Sequence, residues 1–134
     1  MMVFGWFGKP AKPEAPHLSV GRQAEERALA YLQTQGLTLV ERNYRCRGGE
    51  IDLIMRDGGQ IIFVEVRYRA GQGFGGALAS VGARKQARLI IAATHYLVAK
   101  RIDRPARFDV VAVSSEQGGF AIQWIKDAFQ AKPG

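Results

Sequence analysis

Two carboxylates and an arginine in the middle of the chain have the types and the spacing of a catalytic site. Asp52 lies in the segment GEIDLI, Glu65 lies in FVEVRY, and Arg67 follows Glu65 by two positions. The intervening DGGQ at residues 57 to 60 is typical of a tight turn between antiparallel strands. An even turn centred on its two glycines places Asp52 opposite Glu65 and Glu50 opposite Arg67.

The hydrophobic pattern of the two strands favours this register, because it leaves one face of the hairpin entirely apolar. That face collects Ile51, Leu53, Met55, Ile62, Val64 and Val66. The other face collects Glu50, Asp52, Ile54, Ile61, Phe63, Glu65 and Arg67. An odd turn would mix the two sets, so the pattern predicts the even turn.

Two carboxylates that face each other on a sheet repel, because their Cβ atoms lie about 5 Å apart. A divalent cation between Asp52 and Glu65 removes this repulsion, and Mg²⁺ or Mn²⁺ suits ligands that are all oxygen. The alternative is a solvated edge hairpin in which Arg67 and another arginine neutralise the pair. Glu50 has two similar interpretations, an orienting role beside the metal ligands or a plain salt bridge with Arg67.

The first predicted helix adds a third carboxylate. The sequence predicts a helix over residues 20 to 35, with Ser19 as its N-cap and Gly36 at its end. Glu25 falls within the apolar arc of this helix, whereas Glu26 falls outside it. A buried carboxylate is costly unless it is paired or bound to a metal. Glu25 is therefore predicted either to complete the metal site or to form a structural ion pair with an arginine.

The rest of the chain predicts the scaffold that positions these residues. Strands are predicted at residues 38–46, 50–56, 60–68, 107–114 and 120–125. A second helix is predicted across LASVGARKQARLIIAATHYLVAK. The order α-β-β-β-α-β-β favours an α/β fold with a mixed sheet flanked by helices over an all-β barrel. We expect a single domain at residues 18–128, after a poorly ordered leader (1–17) and before a tail (129–134).

The charge of the chain favours a polyanionic partner. Nineteen Lys and Arg outnumber twelve Asp and Glu, which gives a net charge of +7, and thirteen of the basic residues are Arg. Between Glu65 and Asp103 there are seven basic residues and no acidic one. Arg binds phosphate with two donors, so nucleic acid is the expected partner. The alternative is a basic protein whose charge serves only solubility.

The composition also excludes several classes of protein. The single cysteine, Cys46, rules out an intramolecular disulfide framework, and with only two histidines no zinc site is expected. The first ten residues, MMVFGWFGKP, lack a basic start and are too short to span a membrane. We therefore expect a cytoplasmic protein with no membrane partner.

The sequence resembles the YraN family of uncharacterised bacterial proteins over roughly residues 20 to 114. The resemblance is carried by GRQAEERALAYL, ERNYRCRGGEIDLIMRD, IIFVEVRYRAGQGFGG, SVGARKQARLIIAATHYL and RFDVVAV. That family resembles the PD-(D/E)xK superfamily of restriction-endonuclease-like proteins and is similar to archaeal Holliday junction resolvases. The superfamily pattern falls on Glu25, on Asp52 and on Glu65-Val66-Arg67.

The resemblance implies a metal-dependent nuclease with four catalytic residues, Glu25, Asp52, Glu65 and Arg67. It implies Mg²⁺ or Mn²⁺ held by Asp52 and Glu65, by Glu25 directly or through water, and by the backbone carbonyl of Val66. We expect the three carboxylates to converge around one cation position. Lysine is the commoner residue at the position of Arg67, and because a guanidinium keeps its proton, Arg67 is restricted to electrostatic roles.

Nucleic-acid contacts are expected along and beside the second helix, although a solvated helix face would also explain these residues. They are Arg69, Arg84, Lys85, Gln86 and Arg88. The similarity to resolvases favours DNA, including branched DNA, as the substrate. Two alternatives stay open, a nucleic-acid-binding module that has lost catalysis with the change to Arg67, and a homodimeric interaction protein with a contact at Phe74.

Overall fold

The described residues form a six-stranded sheet that lies between two helices. The computed structural model describes residues 2–6, 19–70, 81–116 and 118–131. In chain order the elements are β1 (Met2–Trp6), α1 (Val20–Thr34), β2 (Thr38–Cys46), β3 (Gly49–Asp57), β4 (Gln60–Ala70), α2 (Ala83–Ala99), β5 (Ala106–Glu116) and β6 (Gly119–Phe129). The strand order is β1-β6-β5-β4-β3-β2. Only β4 and β5 run parallel, so the sheet is mixed and the predicted α/β class is confirmed.

Each face of the sheet carries its own apolar core, because each helix buries one stripe of side chains. The α1-side core contains Ala24, Ala28, Leu29, Tyr31, Leu32, Leu37, Leu53, Met55, Ile62, Val64, Val111, Val113, Ile122 and Trp124. The α2-side core contains Ile51, Ile54, Ile61, Phe63, Val81, Leu89, Ala92, Ala93, Tyr96, Phe108, Val110 and Ile125. The α1 and α2 layers are thus separated by the sheet, and a residue's place on a strand decides which helix it meets.

The predicted leader and tail both contribute to the sheet. Residues 1–17 were expected to be poorly ordered, but Met2–Trp6 forms β1, which pairs antiparallel with β6 from Ile125 back to Ala121. The last strand runs to Phe129, which is one residue into the predicted tail. Phe74 lies outside the described residues. Within the described part of the chain, no helix is long and apolar enough to cross a membrane.

The hairpin of β3 and β4 has the predicted even register. Leu53 pairs with Val64, and Asp57 pairs with Gln60 next to the turn, where Gly58 has a φ of 61°. A positive φ is readily adopted by glycine, which is why the DGGQ segment closes this turn. The alternation of apolar residues therefore predicted this pairing correctly as far as Leu53.

The predicted apolar face is wrong for one residue, Ile51. Leu53 belongs to the α1-side core, but Ile51 and its partner on β2, Tyr44, pack on the α2 side. Asn43 lies next to Tyr44 with a φ of 52°, which interrupts the regular alternation of β2 at this level. The switch of faces occurs at Asp52, and it turns the start of β3 towards α2.

Close packing holds the start of β3 against α2. A Cβ atom on Gly49 would lie 2.1 Å from the backbone oxygen of Arg88, so only glycine fits without movement of the backbone. This contact places the strand that carries Asp52 directly beside the helix that carries the basic residues.

Candidate active site

The candidate site lies where β3 and β4 separate. The paired register of these strands ends at Leu53 and Val64, although β4 continues to Ala70 beside β5. In this fork the backbone amide of Val66 donates a hydrogen bond to Oδ2 of Asp52, at 2.8 Å. The carboxylate of Asp52 therefore occupies the position where a strand carbonyl would accept in a regular ladder.

The structure brings Asp52 and Glu65 together as an acid pair, in which each carboxyl group shifts the pKa of the other. The Glu65 side chain is only 4% exposed. Burial, followed by the charge of Asp52, raises the pKa of Glu65 to about 8. Burial also raises the pKa of Asp52, although the Val66 amide and Glu65 act against this shift. Burial and the neighbouring carboxylate thus favour the protonated form of Glu65.

Two cations contact the same oxygen of this pair. Nη1 of Arg67 lies 3.4 Å from Oε2 of Glu65, and Nζ of Lys85 lies 3.5 Å from it. Arg67 comes from β4, two residues along the same face, whereas Lys85 comes from the first turn of α2. Both lower the pKa of Glu65, but burial and Asp52 have the larger effect. The site is therefore an acid pair flanked by positive charge.

Glu25 lies on α1, on the other face of the sheet. Its Oε1 atom is buried and has no hydrogen-bond partner among the described residues. Burial, followed by the charge of Asp52, raises the pKa of Glu25, while the nearby Arg22 and Arg42 lower it. The neighbouring Glu26 instead forms ion pairs with Arg42 and with Arg22. Both residues are half-buried, and Glu26 makes the contact with arginines that was the alternative interpretation of Glu25.

The expected convergence of three carboxylates is not found. No group of three or more His, Cys, Asp or Glu side chains in the described ranges is arranged to hold a metal ion. Glu25 approaches Asp52 from the α1 face, whereas Glu65 meets Lys85 of α2 on the opposite face. Asp52 lies between these two environments because β3 changes faces at this residue. The acid pair is thus the centre of the site, and Glu25 lies beside it.

Glu50 forms a cross-strand ion pair, but with Arg45 of β2. The distance from Nε of Arg45 to Oε2 of Glu50 is 3.4 Å, and both side chains are well exposed. Glu50 was expected to lie opposite Arg67, but the β3–β4 register stops before it reaches these residues. The charge of Glu50 still reaches the acid pair, because it raises the pKa of Asp52.

The basic residues predicted to bind nucleic acid occupy different environments. Arg84 and Arg88 are exposed on α2, and Arg69 on β4 is half-buried. Gln86 donates from Nε2 to the backbone oxygen of Val81, at 2.8 Å, which fixes the first turn of the helix. Gln86 thus has a structural contact that the sequence did not predict, whereas Arg84 and Arg88 are exposed to solvent.

Asp109 is a buried carboxylate that the sequence analysis did not select. It accepts hydrogen bonds from Nε and Nη2 of Arg107, at 2.9 and 3.1 Å. Nε1 of Trp124 and the backbone amide of Asp127 each donate to it at 2.9 Å. The only signal in the sequence is an acidic residue within the apolar strand segment RFDVVAV. With its oxygens satisfied by donors of the chain, Asp109 anchors β5 to β6 rather than serving as a ligand.

The fold and the site define an α/β protein with a mixed sheet and an acid pair at a fork between two of its strands. The family model described as uncharacterised protein family UPF0102 matches residues 24–113, and the chain belongs to this family. It is 50% identical over 121 residues to a UPF0102 protein of Pseudomonas putida strain W619, covering 88% of this chain and 98% of the relative. It is 55% identical over 115 residues to a UPF0102 protein of Shewanella loihica, covering 86% and 97%. The family description states no activity.

Proposed function

We propose that this protein is a metal-dependent phosphodiester hydrolase that acts on nucleic acid, with DNA as the substrate. The observation that carries the proposal is the acid pair of Asp52 and Glu65, in which a buried Glu65 and a half-buried Asp52 lie together beside two cations. Such a pair destabilises a fold, and strongly shifted carboxyl groups in a polar cleft are typical of functional sites.

The oxygen ligands that the site offers suit a hard divalent cation. Asp52 and Glu65 offer only oxygen, and Mg²⁺ is commonly held by one or two carboxylates and several waters. The buried Oε1 atom of Glu25, which has no hydrogen-bond partner among the described residues, is a further acceptor on the Asp52 side of the site. We assign Mg²⁺ or Mn²⁺ to Asp52 and Glu65, with Glu25 acting through water and the Val66 carbonyl as a further ligand by resemblance. When bound, the cation lowers the pKa of the attacking water and polarises the phosphate.

Arg67 and Glu50 have distinct supporting roles in this proposal. The guanidinium of Arg67 cannot accept a proton from water, so it stabilises the negative charge that develops on the phosphate. Glu50 lies farther out and is exposed, and its charge orients and polarises the Asp52 side of the acid pair. The position of Arg67, two residues after Glu65, agrees with the E-x-K element of the PD-(D/E)xK superfamily except for its residue type.

The surface beside the acid pair favours nucleic acid as the substrate. Lys85 joins the pair to the first turn of α2, and the exposed Arg84 and Arg88 continue the positive charge along this helix. The net charge of +7 adds a general attraction to polyanions. Phosphate contacts of this kind fix the position of a nucleic acid without reading its sequence. The resemblance to Holliday junction resolvases supports DNA, including branched DNA.

A cleavage assay tests the proposal directly. Purified protein is incubated with labelled linear duplex DNA, four-way junction DNA and RNA, in Mg²⁺, in Mn²⁺ or in EDTA. We expect cleavage of DNA that needs the divalent cation and falls about 100-fold or more in Asp52→Asn and in Glu65→Gln, because each variant loses one metal ligand. Lys100→Met, a change on an exposed residue at the far end of α2, is the control for the preparation.

Two outcomes would overturn the proposal in different ways. Metal-dependent cleavage that survives both substitutions would place the reaction outside the acid pair. Binding of DNA at low salt without any cleavage would favour the alternative of a binding module, in which Arg67 has replaced the lysine of a former active site.

A further inference from the structure

The acid pair is neutralised by cations from two different elements, and these cations differ in chemistry. Both Arg67 and Lys85 lie within 3.5 Å of Oε2 of Glu65. Arg67 also takes part in interactions beyond this one and is fixed to the central strand β4. Lys85 carries a compact ammonium group on a flexible four-carbon stem, which reaches several positions from one backbone site.

The backbone of Lys85 is fixed, whereas its side chain is not enclosed. The side-chain amide of Gln86 donates to the backbone oxygen of Val81. The backbone N–H of Gln86 donates to the backbone oxygen of Gly82, at 2.9 Å. Val81 is itself buried in the α2-side core. The first turn of α2 therefore holds the Cα atom of Lys85 in place. Its side chain is 29% exposed, while the side chain of Glu65, which it contacts, is 4% exposed.

A divalent cation held by Glu65 would repel both Arg67 and Lys85, whose nitrogen atoms lie 3.4 and 3.5 Å from Oε2 of this residue. Arg67 has further interactions that hold it, so the flexible stem of Lys85 makes this residue the one to turn towards solvent or towards a substrate along α2. The neighbouring exposed residues Arg84 and Arg88 place any bound phosphate backbone on that same side.

We infer that Lys85 is an exchangeable cation of the acid pair, which holds the Glu65 carboxylate before a divalent cation binds and contacts a substrate phosphate afterwards. This inference rests on the proposed function. In this inference, Lys85 of α2 supplies the flexible amine that is absent from the E-x-K element, where Arg67 replaces the lysine. It also predicts that removal of the Lys85 amine raises the affinity for the metal and lowers the affinity for nucleic acid, since Lys85 competes with the metal but contacts the substrate phosphate.

Titration calorimetry with MnCl₂ and fluorescence titration with duplex DNA test this role. Without DNA, Lys85→Met is expected to bind Mn²⁺ about fivefold more tightly than the wild type, because a competing cation has been removed. With Mn²⁺ present, the same variant is expected to bind DNA about fivefold more weakly, because a phosphate contact is lost. Lys100→Met makes the same change of charge at the other end of α2 and should alter neither the Mn²⁺ affinity nor the unfolding midpoint.

The possible results separate this inference from the proposed function. Weaker binding of both Mn²⁺ and DNA by Lys85→Met would make Lys85 a merely structural residue and overturn the inference. Equal Mn²⁺ affinity in the wild type and in Lys85→Met would overturn the inference alone. If neither protein binds Mn²⁺, the acid pair is not a metal site, and the proposed function falls together with the inference.

Discussion

At pH 8 and without divalent cations, Glu65→Gln is expected to be more stable than the wild type by about 3 kcal/mol. Burial and the charge of Asp52 raise the pKa of Glu65 from an ordinary value of 4.5 to about 8. Between these two pH values the native state keeps a proton that the unfolded state has lost. The free energy of unfolding of the wild type therefore falls as the pH rises through this window. Glutamine resembles the protonated side chain and does not lose a proton.

Urea unfolding in EDTA at pH 5 and at pH 8 measures this difference. At pH 5 the difference should shrink to about 1 kcal/mol or less, because this pH lies close to the ordinary pKa of 4.5, where the unfolded state also keeps part of its proton. Asp103→Asn is the matched control, since Asp103 is an exposed acid in the segment after α2, outside the acid pair. This control should keep the pH dependence of the wild type. If the free energy of unfolding of Glu65→Gln falls with pH as steeply as that of the wild type, the ionisation of Glu65 does not destabilise the native state, and the prediction is wrong.

Replacement of the other buried acid should have the opposite effect on stability. Asp109→Ala is expected to lower the free energy of unfolding by about 4 kcal/mol. The Asp109 side chain is fully buried and accepts two hydrogen bonds from Arg107. Its removal leaves the Arg107 guanidinium, only 16% exposed, without its partner, and leaves the indole N–H of Trp124 without an acceptor.

Urea unfolding at neutral pH measures this loss, with Asp127→Asn as the control. Asp127 is exposed and has a φ of 52°, a conformation that asparagine tolerates well. Its backbone amide, which donates to Asp109, is unchanged by the substitution. The free energy of unfolding of Asp127→Asn should therefore lie within about 0.5 kcal/mol of the wild-type value. If Asp109→Ala lowers the free energy of unfolding by less than about 1 kcal/mol, Asp109 does not anchor β5 to β6.

The two buried acids, Asp109 and Glu65, differ in how the fold compensates their charge. Asp109 is surrounded by donors from Arg107, Trp124 and a backbone amide, so its charge is compensated within the fold. Glu65 is buried against another acid, and the cations beside it do not restore its ordinary pKa. A fold that keeps the second arrangement bears a cost in stability, which a divalent cation would offset.

The sequence predicts the acid pair because a hairpin is a local structure. The even turn and the alternation of apolar residues together fix the pairing of Leu53 with Val64, and the contact of Asp52 with Glu65 follows from it. The position of Ile51 is not predicted, because the change of faces depends on the backbone of Asn43 in a neighbouring strand. The separation of Glu25 from Glu65 has the same origin, since it depends on which helix each face of the sheet meets.

Features that depend on distant segments could not be predicted from local patterns. The donors to Asp109 from β6 are an example, since Trp124 and Asp127 lie 15 and 18 positions later in the chain. The pairing of Met2–Trp6 with β6 joins the two ends of the described chain, and no periodic pattern in a five-residue segment reveals it. The contact of Lys85 with Glu65 could not be predicted for the same reason. The helical pattern predicts on which face of α2 Lys85 lies, but not which strand this face contacts.

Anomalous diffraction from crystals soaked in MnCl₂ at pH 8 tests the central claim, that the acid pair is a divalent-cation site. The account predicts a peak at coordination distance from carboxylate oxygens of both Asp52 and Glu65, and the loss of that peak in Glu65→Gln. Manganese peaks elsewhere on the protein, with none between Asp52 and Glu65, would contradict it.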